Sequence, residues 1–550
     1  MKKRIARSMA FVLLFSAFFV PARAGADFQG VSIERLLESL TVEEKVGQLF
    51  MVGFPGTDLD DRTAARIVDL GIGSFIFFNK NSPGPAVVAG LTRAMQELAA
   101  STRTGIPLLL AMDQEQGRIL RLEEGVTLFP GNYALGKIGD PWNARQTARI
   151  TGEELKAVGI QINLGPVADV NSNPDNPVIG SRSFGESPEL TATMVSQAAA
   201  GFAAAGVAST AKHFPGHGDV TVDSHFGLPV IDKTLEELRR VELPPFQAAI
   251  DQGVPAIMTA HILFPNLDPD YPATASPAIL KGLLRDEMGF QGLVISDAIE
   301  MKALTDNYYL PDLAVRIINS GCDMIIFSEN LTGDFTFEEI HAAVLGAARE
   351  GTISADRLDE AVRRVLTVKD GVQFTSVREE ELPLYLRLPH NVEYSREIMT
   401  AALRTNHDAV YFPVSLEGKT LAVVSDVSRF YSILPDQDAS RLYVTTSTPP
   451  ADVAQACAGA DEIWIFLSGA TSRGIVSQAE FNDQAKIRFF SLNDPYLKGA
   501  LSFRTDSYLN LFAYKIPLEP VADFLAGGRE AVVILPWPTG EATGCFISSI

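Results

Sequence analysis

Residues 212–225 read KHFPGHGDVTVDSH and hold three of the chain's seven histidines, together with two aspartates and a lysine. Such a cluster has the groups for a metal site or for proton transfer. A shared metal would need His213 and His217 on one face, and Pro215-Gly216 between them rules out the helix that would put them there. No H-E-x-x-H pattern occurs anywhere in the chain. A serine nucleophile fares no better, because Ser296 lacks the G-x-S-x-G elbow. Asp223 and His225, by contrast, are two apart across the small Ser224, and side chains two apart in extended backbone point the same way. A carboxylate so placed orients an imidazole and favours its charged form, which a general acid and base needs near neutral pH. Taken alone, D-S-H reads first as a turn. The remainder of the chain has to supply a partner.

The elements that would position these residues are legible as short apolar runs. GQLFMVGF (47–54), GSFIFF (73–78), PLLLAMD (107–113), IQINLGPVADV (160–170), VASTAKH (207–213), PAIMTAH (255–261), GLVISD (292–297) and CDMIIFS (322–328) are rich in β-branched or aromatic residues. Nearly continuous apolar runs are expected of strands buried on both faces. Thr41-x-x-Glu44 and Thr234-x-x-Glu237 between them read as capping boxes. Residues 189–206 read as a helix closed by Gly206. Eight strands alternating with helices predict an α/β fold, a (β/α)₈ TIM-type barrel. A doubly wound sheet would normally bring a glycine-rich nucleotide loop, and none is present. Asp113, His213, His261 and Asp297 each end a predicted strand, and in a barrel such ends meet at one mouth.

A chain of 550 residues exceeds a single ordinary core. The barrel domain is expected over 25–371 and a linker over 372–394. A smaller α/β C-terminal domain is expected over 395–550, on the runs KTLAVVSD (419–426), EIWIFLSG (462–469) and AVVILPWP (531–538). Lys2, Lys3, Arg4 and Arg7 precede the apolar run MAFVLLFSAFFV and the small residues of Ala22-Arg23-Ala24, the layout of a signal peptide over 1–24. An exported protein, periplasmic or extracellular, with no membrane span after cleavage, is therefore expected. A net charge of −21 argues against nucleic acid as a partner. Cys322 lies in an apolar string and reads as a core residue, and a Cys457–Cys545 pair stays open.

The string KHFPGHGDVTVDSH, LP at 228–229 and VISDAIEMKAL at 294–304 together resemble glycoside hydrolase family 3, in its β-N-acetylglucosaminidase branch. DQEQGR (113–118), GPVADV (165–170), RSFG (182–185) and MTAHI (258–262) agree in order, so the resemblance spans about residues 40–330. It implies a retaining hydrolase acting on N-acetylglucosamine-terminated glycans, without metal or cofactor. Asp297 would be the nucleophile, and His225 the acid and base with Asp223 as its partner. Asp113, Arg121, Arg182, Lys212 and His213 would bind the sugar, while His217 and Asp219 would shape the loop and His261 would stand behind the site. The family usually has glycine where this chain has Gln116, whose side chain is expected to tune the pocket. A β-glucosidase or β-xylosidase of the same family, and a glycan-binding barrel with impaired turnover, are the alternative readings.

Overall fold

The computed structural model describes residues 27–28, 31–224, 227–329, 335–405, 419–425, 439–445, 447–467, 476, 478–481, 484–491, 505 and 507–510. His225, residues 1–24, Cys545 and the run 531–538 lie outside the described residues.

All eight predicted runs become strands of one closed parallel barrel. In chain order these are β1 (Phe50–Val52), β2 (Ser74–Phe77), β3 (Leu109–Met112), β4 (Ile162–Asn163), β5 (Ala208–Phe214), β6 (Ala256–Thr259), β7 (Leu293–Ala298) and β8 (Met324–Phe327). Each pairs with its sequence neighbour, and β8 closes the ring on β1 with Ile325 opposite Phe50. Side chains pointing inward fill the barrel: Met51, Ile76, Leu109, Ala111, Ile162, Met258, Ile295 and Met324 form one cluster. Outward-pointing residues such as Phe50, Phe75, Leu110 and Val294 pack beneath the helices in a second, larger cluster. The interior is thus a packed core, and a pocket can form only at an end.

The helices begin and end where their capping residues stand. Thr41 opens α1 (Val42–Gln48) as a capping box, with Glu44 Oε2 accepting from the Thr41 amide at 2.9 Å. Thr234 and Glu237 form the second box. Helix α2 (Pro188–Ala205) starts on Ser187 with proline in its first turn, and stops at Gly206, whose φ of 77° is left-handed. Helix α3 (Ala355–Asp370) runs beneath the barrel and contributes Val365 and Val368 to the interior cluster, plugging the N-terminal end of the strands.

The stretch expected to link the two domains is packed against the barrel. The Val377 amide donates to the Ala157 carbonyl and the Arg387 amide to Glu154 Oε1 at 2.8 Å. Helix α4 (Pro389–Arg404) starts within that stretch and sends the Tyr394 hydroxyl to Asn143 Oδ1 at 2.7 Å. Beyond it stands a separate parallel sheet of β9 (Leu421–Ser425), β10 (Ala439–Tyr443), β11 (Glu462–Leu467), β12 (Lys486–Ser491) and β13 (Ser507–Asn510), in the order β10-β9-β11-β12-β13. Cys322 and Cys457 are buried free thiols, and burial pushes both up to about 12. Among the described residues no helix is long and apolar enough to cross a membrane.

Candidate active site

A cavity of about 440 Å³ opens at the C-terminal end of the strands, within the size range of small-molecule sites. Asp113, Arg121, Arg182, Lys212, His213 and Asp297 all line it. They come from four strand ends: Asp113 and Arg121 follow β3, Arg182 follows β4, Lys212 and His213 lie on β5, and Asp297 lies on β7. Strand β5 slips in register against β6 between Ala211 and Phe214, and such an irregularity re-aims side chains. The consecutive Lys212 and His213 both line the cavity there.

Charge pairing holds the floor rigid. Lys212 Nζ donates to Asp113 Oδ1 at 2.8 Å and lies 2.6 Å from Glu115 Oε1. Arg182 grips Glu115 with two parallel bonds, Nε to Oε2 and Nη2 to Oε1, both 2.9 Å. Arg121 Nη2 reaches Asp113 Oδ2 at 3.1 Å, and its guanidinium lies over the Phe78 ring. Lys212 and Glu115 are almost wholly buried, so each charge depends on the opposite charges around it. Burial works to raise the Glu115 carboxyl, but Arg182 and Lys212 overcome it and hold the group far below the usual carboxylate range. Burial likewise acts against Asp113, and Lys212 and Arg121 keep it ionised.

Asp169, at the end of the GPVADV run, organises the other wall. Its Oδ2 accepts from His213 Nδ1 at 2.7 Å, while Oδ1 accepts from the His213 and His217 amides at 3.1 and 2.8 Å. The His217 loop fits closely because residue 218 is glycine: a Cβ there would lie 1.6 Å from the Val170 carbonyl oxygen. Lys233 bridges Asp219 and the buried Glu242 at 2.8 and 2.6 Å, fixing the same loop from outside. Asp297 is half-buried, and its Oδ1 accepts from the Ala298 amide at 2.7 Å. Burial would raise its pKa, but His213, His261 and that amide lower it below the ordinary value. The carboxylate is therefore ionised.

His261 does not reach the cavity. Its ring hydrogen-bonds Thr274 Oγ1 at 2.7 Å and the Ala298 carbonyl at 3.0 Å, one layer behind Asp297. Of the four strand-end residues expected at the mouth, three line it and this one supports it. Asp223 lies half-buried on the loop after β5, next to Ser224, which lines the cavity. Sequence reasoning missed Glu115 and Asp169. Both are carboxylates at the end of an apolar run, the same signal that pointed to Asp113.

Gln116 differs from expectation. Its φ of 71° is left-handed, the region that glycine adopts freely. The side chain turns away from the cavity, with Nε2 donating to Thr151 Oγ1 at 2.8 Å and Oε1 accepting from the Phe129 amide at 3.1 Å. Two buried hydrogen bonds offset the backbone cost, and the side chain takes no part in lining the cavity.

A barrel whose open end gathers carboxylates and their cationic partners around a cavity has the groups to hold a polar small molecule. Residues 41–368 match the model of the glycosyl hydrolase family 3 N-terminal domain. The chain belongs to glycosyl hydrolase family 3. It is a glycoside hydrolase of the β-hexosaminidase kind. It is 36% identical over 287 residues to a β-hexosaminidase of Idiomarina loihiensis, covering 52% of this chain and 84% of that one. It is also 35% identical over 366 residues to β-hexosaminidase A of Pseudoalteromonas piscicida, covering 60% of this chain and 61% of that longer relative. Among solved structures it resembles a family 3 β-N-acetylglucosaminidase from Paenibacillus sp. str. FPU-7. That match has a TM-score of 0.78 at 33% identity and covers 89% of this chain and 97% of the other.

Proposed function

We propose that the chain is an exported, exo-acting β-N-acetylglucosaminidase that removes terminal N-acetylglucosamine with retention, through a covalent intermediate on Asp297. The observation that carries the reading is the Asp297 carboxylate, anchored through Oδ1 by the Ala298 amide and facing the same cavity as the Asp113–Lys212–Glu115–Arg182 network. A nucleophile of this kind must be ionised and fixed in direction.

In the first step a carboxylate oxygen of Asp297 attacks the anomeric carbon as the bond to the leaving oxygen breaks. His225 gives that oxygen its proton. In the second step His225 takes a proton from water, and the water's oxygen displaces Asp297 at the same carbon. Asp223, two residues before His225, orients the imidazole and balances its charge. An imidazole titrates near neutrality, so the acid does not need the strongly raised carboxyl pKa that a glutamic acid would need in its place. Asp113 accepts from sugar hydroxyls and Lys212 donates to them, with Arg121, Arg182 and His213 completing the ring of contacts. The Paenibacillus neighbour supports N-acetylglucosamine as the sugar. The D-S-H pair favours this branch over the glucosidases and xylosidases. Peptidoglycan fragments or chitooligosaccharides are the proposed substrates, and the basic and apolar N-terminus supports export.

The test is turnover of nitrophenyl β-N-acetylglucosaminide and β-glucoside side by side, without added metal. Strong preference for the N-acetylated sugar, abolished by Asp297→Ala, is the expected result. Preference for glucose, or full activity in Asp297→Ala, would overturn the reading.

A further inference from the structure

We propose that His217 is a positioning residue for proton transfer: its ring fixes Ser224, the residue between Asp223 and His225, and so sets where that pair can act. The inference rests on the acid and base role just proposed for His225.

His217 is buried, and its ring packs edge-on against His213 at 5.5 Å between centroids. Nε2 lies 3.2 Å from Ser224 Oγ, while Nδ1 has no hydrogen-bond partner among the described residues. Burial, followed by the field of His213, pushes the imidazole down to about 4, so at neutral pH the ring is uncharged, with one N–H and one lone pair. Leaving a ring nitrogen unpaired in the interior is unfavourable, and an apolar side chain would avoid that cost. Among the described residues, the one side-chain bond that the ring makes goes to Ser224.

Ser224 is held a second time from the opposite wall. Its carbonyl accepts from the Ala303 amide at 3.2 Å, six residues beyond Asp297. Asp169 completes the frame, because one carboxylate anchors His213 through ring and amide, and His217 through its amide. Ser224 is therefore tied through its side chain to the loop of the sugar-binding residues, and through its backbone to the segment of the nucleophile. Such a tie can align a proton donor with a leaving oxygen that sits between those two walls.

The experiment compares turnover of a chitobiose-type disaccharide, which needs its leaving oxygen protonated, with a dinitrophenyl β-N-acetylglucosaminide, which does not. In the full chain, His217→Ala is expected to lower kcat/KM on the disaccharide about 30-fold or more. Its kcat/KM on the dinitrophenyl glycoside, which reports the first step alone, should stay within about threefold, while kcat and KM there fall together because the second step still needs His225 as base. Ser224→Ala should show the same pattern, and the double variant should be no worse than either single one. His217→Gln, whose amide reaches the Nε2 position, should recover most of the loss, whereas His217→Asn should not. Equal losses on both substrates with raised KM would overturn the proposal, since the ring would then be touching sugar. So would the absence of loss, or independent losses that multiply in the double variant. Ser224→Ala carries the same expectation should His217→Ala fail to fold. His225→Ala, measured alongside, separates the two levels. If it lacks the leaving-group signature, the acid assignment fails; if it has the signature and both His217→Ala and Ser224→Ala lack it, only the positioning role fails.

Discussion

His213 Nδ1 lies 2.7 Å from Asp169 Oδ2, and that contact fixes which edge of the imidazole faces the cavity. A buried carboxylate behind a histidine selects its tautomer and orientation, as carboxylates do for catalytic and metal-bound histidines. Asp169→Asn is therefore expected to lower kcat/KM about 10–100-fold. Steady-state kinetics and a thermal melt on the same preparation check this, and a large melting shift with unchanged kcat/KM would contradict it.

Glu115→Gln should be costly in a different way. It removes one of the two carboxylates on Lys212 and the bidentate partner of Arg182, and leaves buried positive charge under-compensated. A loss of about 3–5 kcal/mol in unfolding free energy is expected, together with weaker sugar binding. The sign with pH follows from the depressed carboxyl. Its contribution is full above the unfolded value near 4.5 and is lost as pH falls toward the native value. Urea titrations of both proteins at neutral and acid pH should show the gap narrowing as pH falls.

Gln116 gives an ordering rather than a single number. Gln116→Gly loses two buried hydrogen bonds but relaxes the left-handed backbone, whereas Gln116→Ala loses the bonds and keeps the strain. Stability should fall from the native chain to glycine to alanine, with the alanine variant about 1–3 kcal/mol down. Activity of the folded variants should change little, because the side chain faces away from the cavity. Melting temperatures and kcat/KM measured in parallel decide this.

These residues also show what a sequence can and cannot reveal. The eight strands were legible because parallel strands buried on both faces leave unbroken apolar runs, and the site residues because a barrel brings strand ends together. Glu115 and Asp169 were not, since their value lies in the partners that barrel closure brings to them, Arg182 being 67 residues from Glu115. Nor was the direction of the Gln116 side chain, which depends on Thr151 across the fold. In the second sheet, β9 and β11 announced themselves as KTLAVVSD and EIWIFLSG. Strands β10, β12 and β13 begin or mix with polar residues and gave no such run.

Lys369 lies at the closed end of the barrel, fully buried, with Nζ bonded to Gln48 Oε1 at 2.7 Å. Burial pushes it down to about 7 from 10.5. Between those values the unfolded chain holds the proton more tightly, so this group's penalty is complete below about 7 and fades as pH rises to 10.5. Lys369→Met should therefore stabilise the fold by on the order of 2–4 kcal/mol at pH 6, less whatever is lost by unpairing Gln48, and by little at pH 10. Denaturant melts at the two pH values test both the sign and the trend.

The central claim is that Asp297 forms the bond to the sugar. The direct measurement is trapping with an activated 5-fluoro N-acetylglucosaminide, followed by mass spectrometry of the intact protein and of its peptides. One fluorinated N-acetylglucosaminyl group on the peptide that contains Asp297, absent in Asp297→Ala, is the result the account predicts. A label on another carboxylate such as Asp113, or turnover of the reagent by a chain that never carries a label, would contradict it.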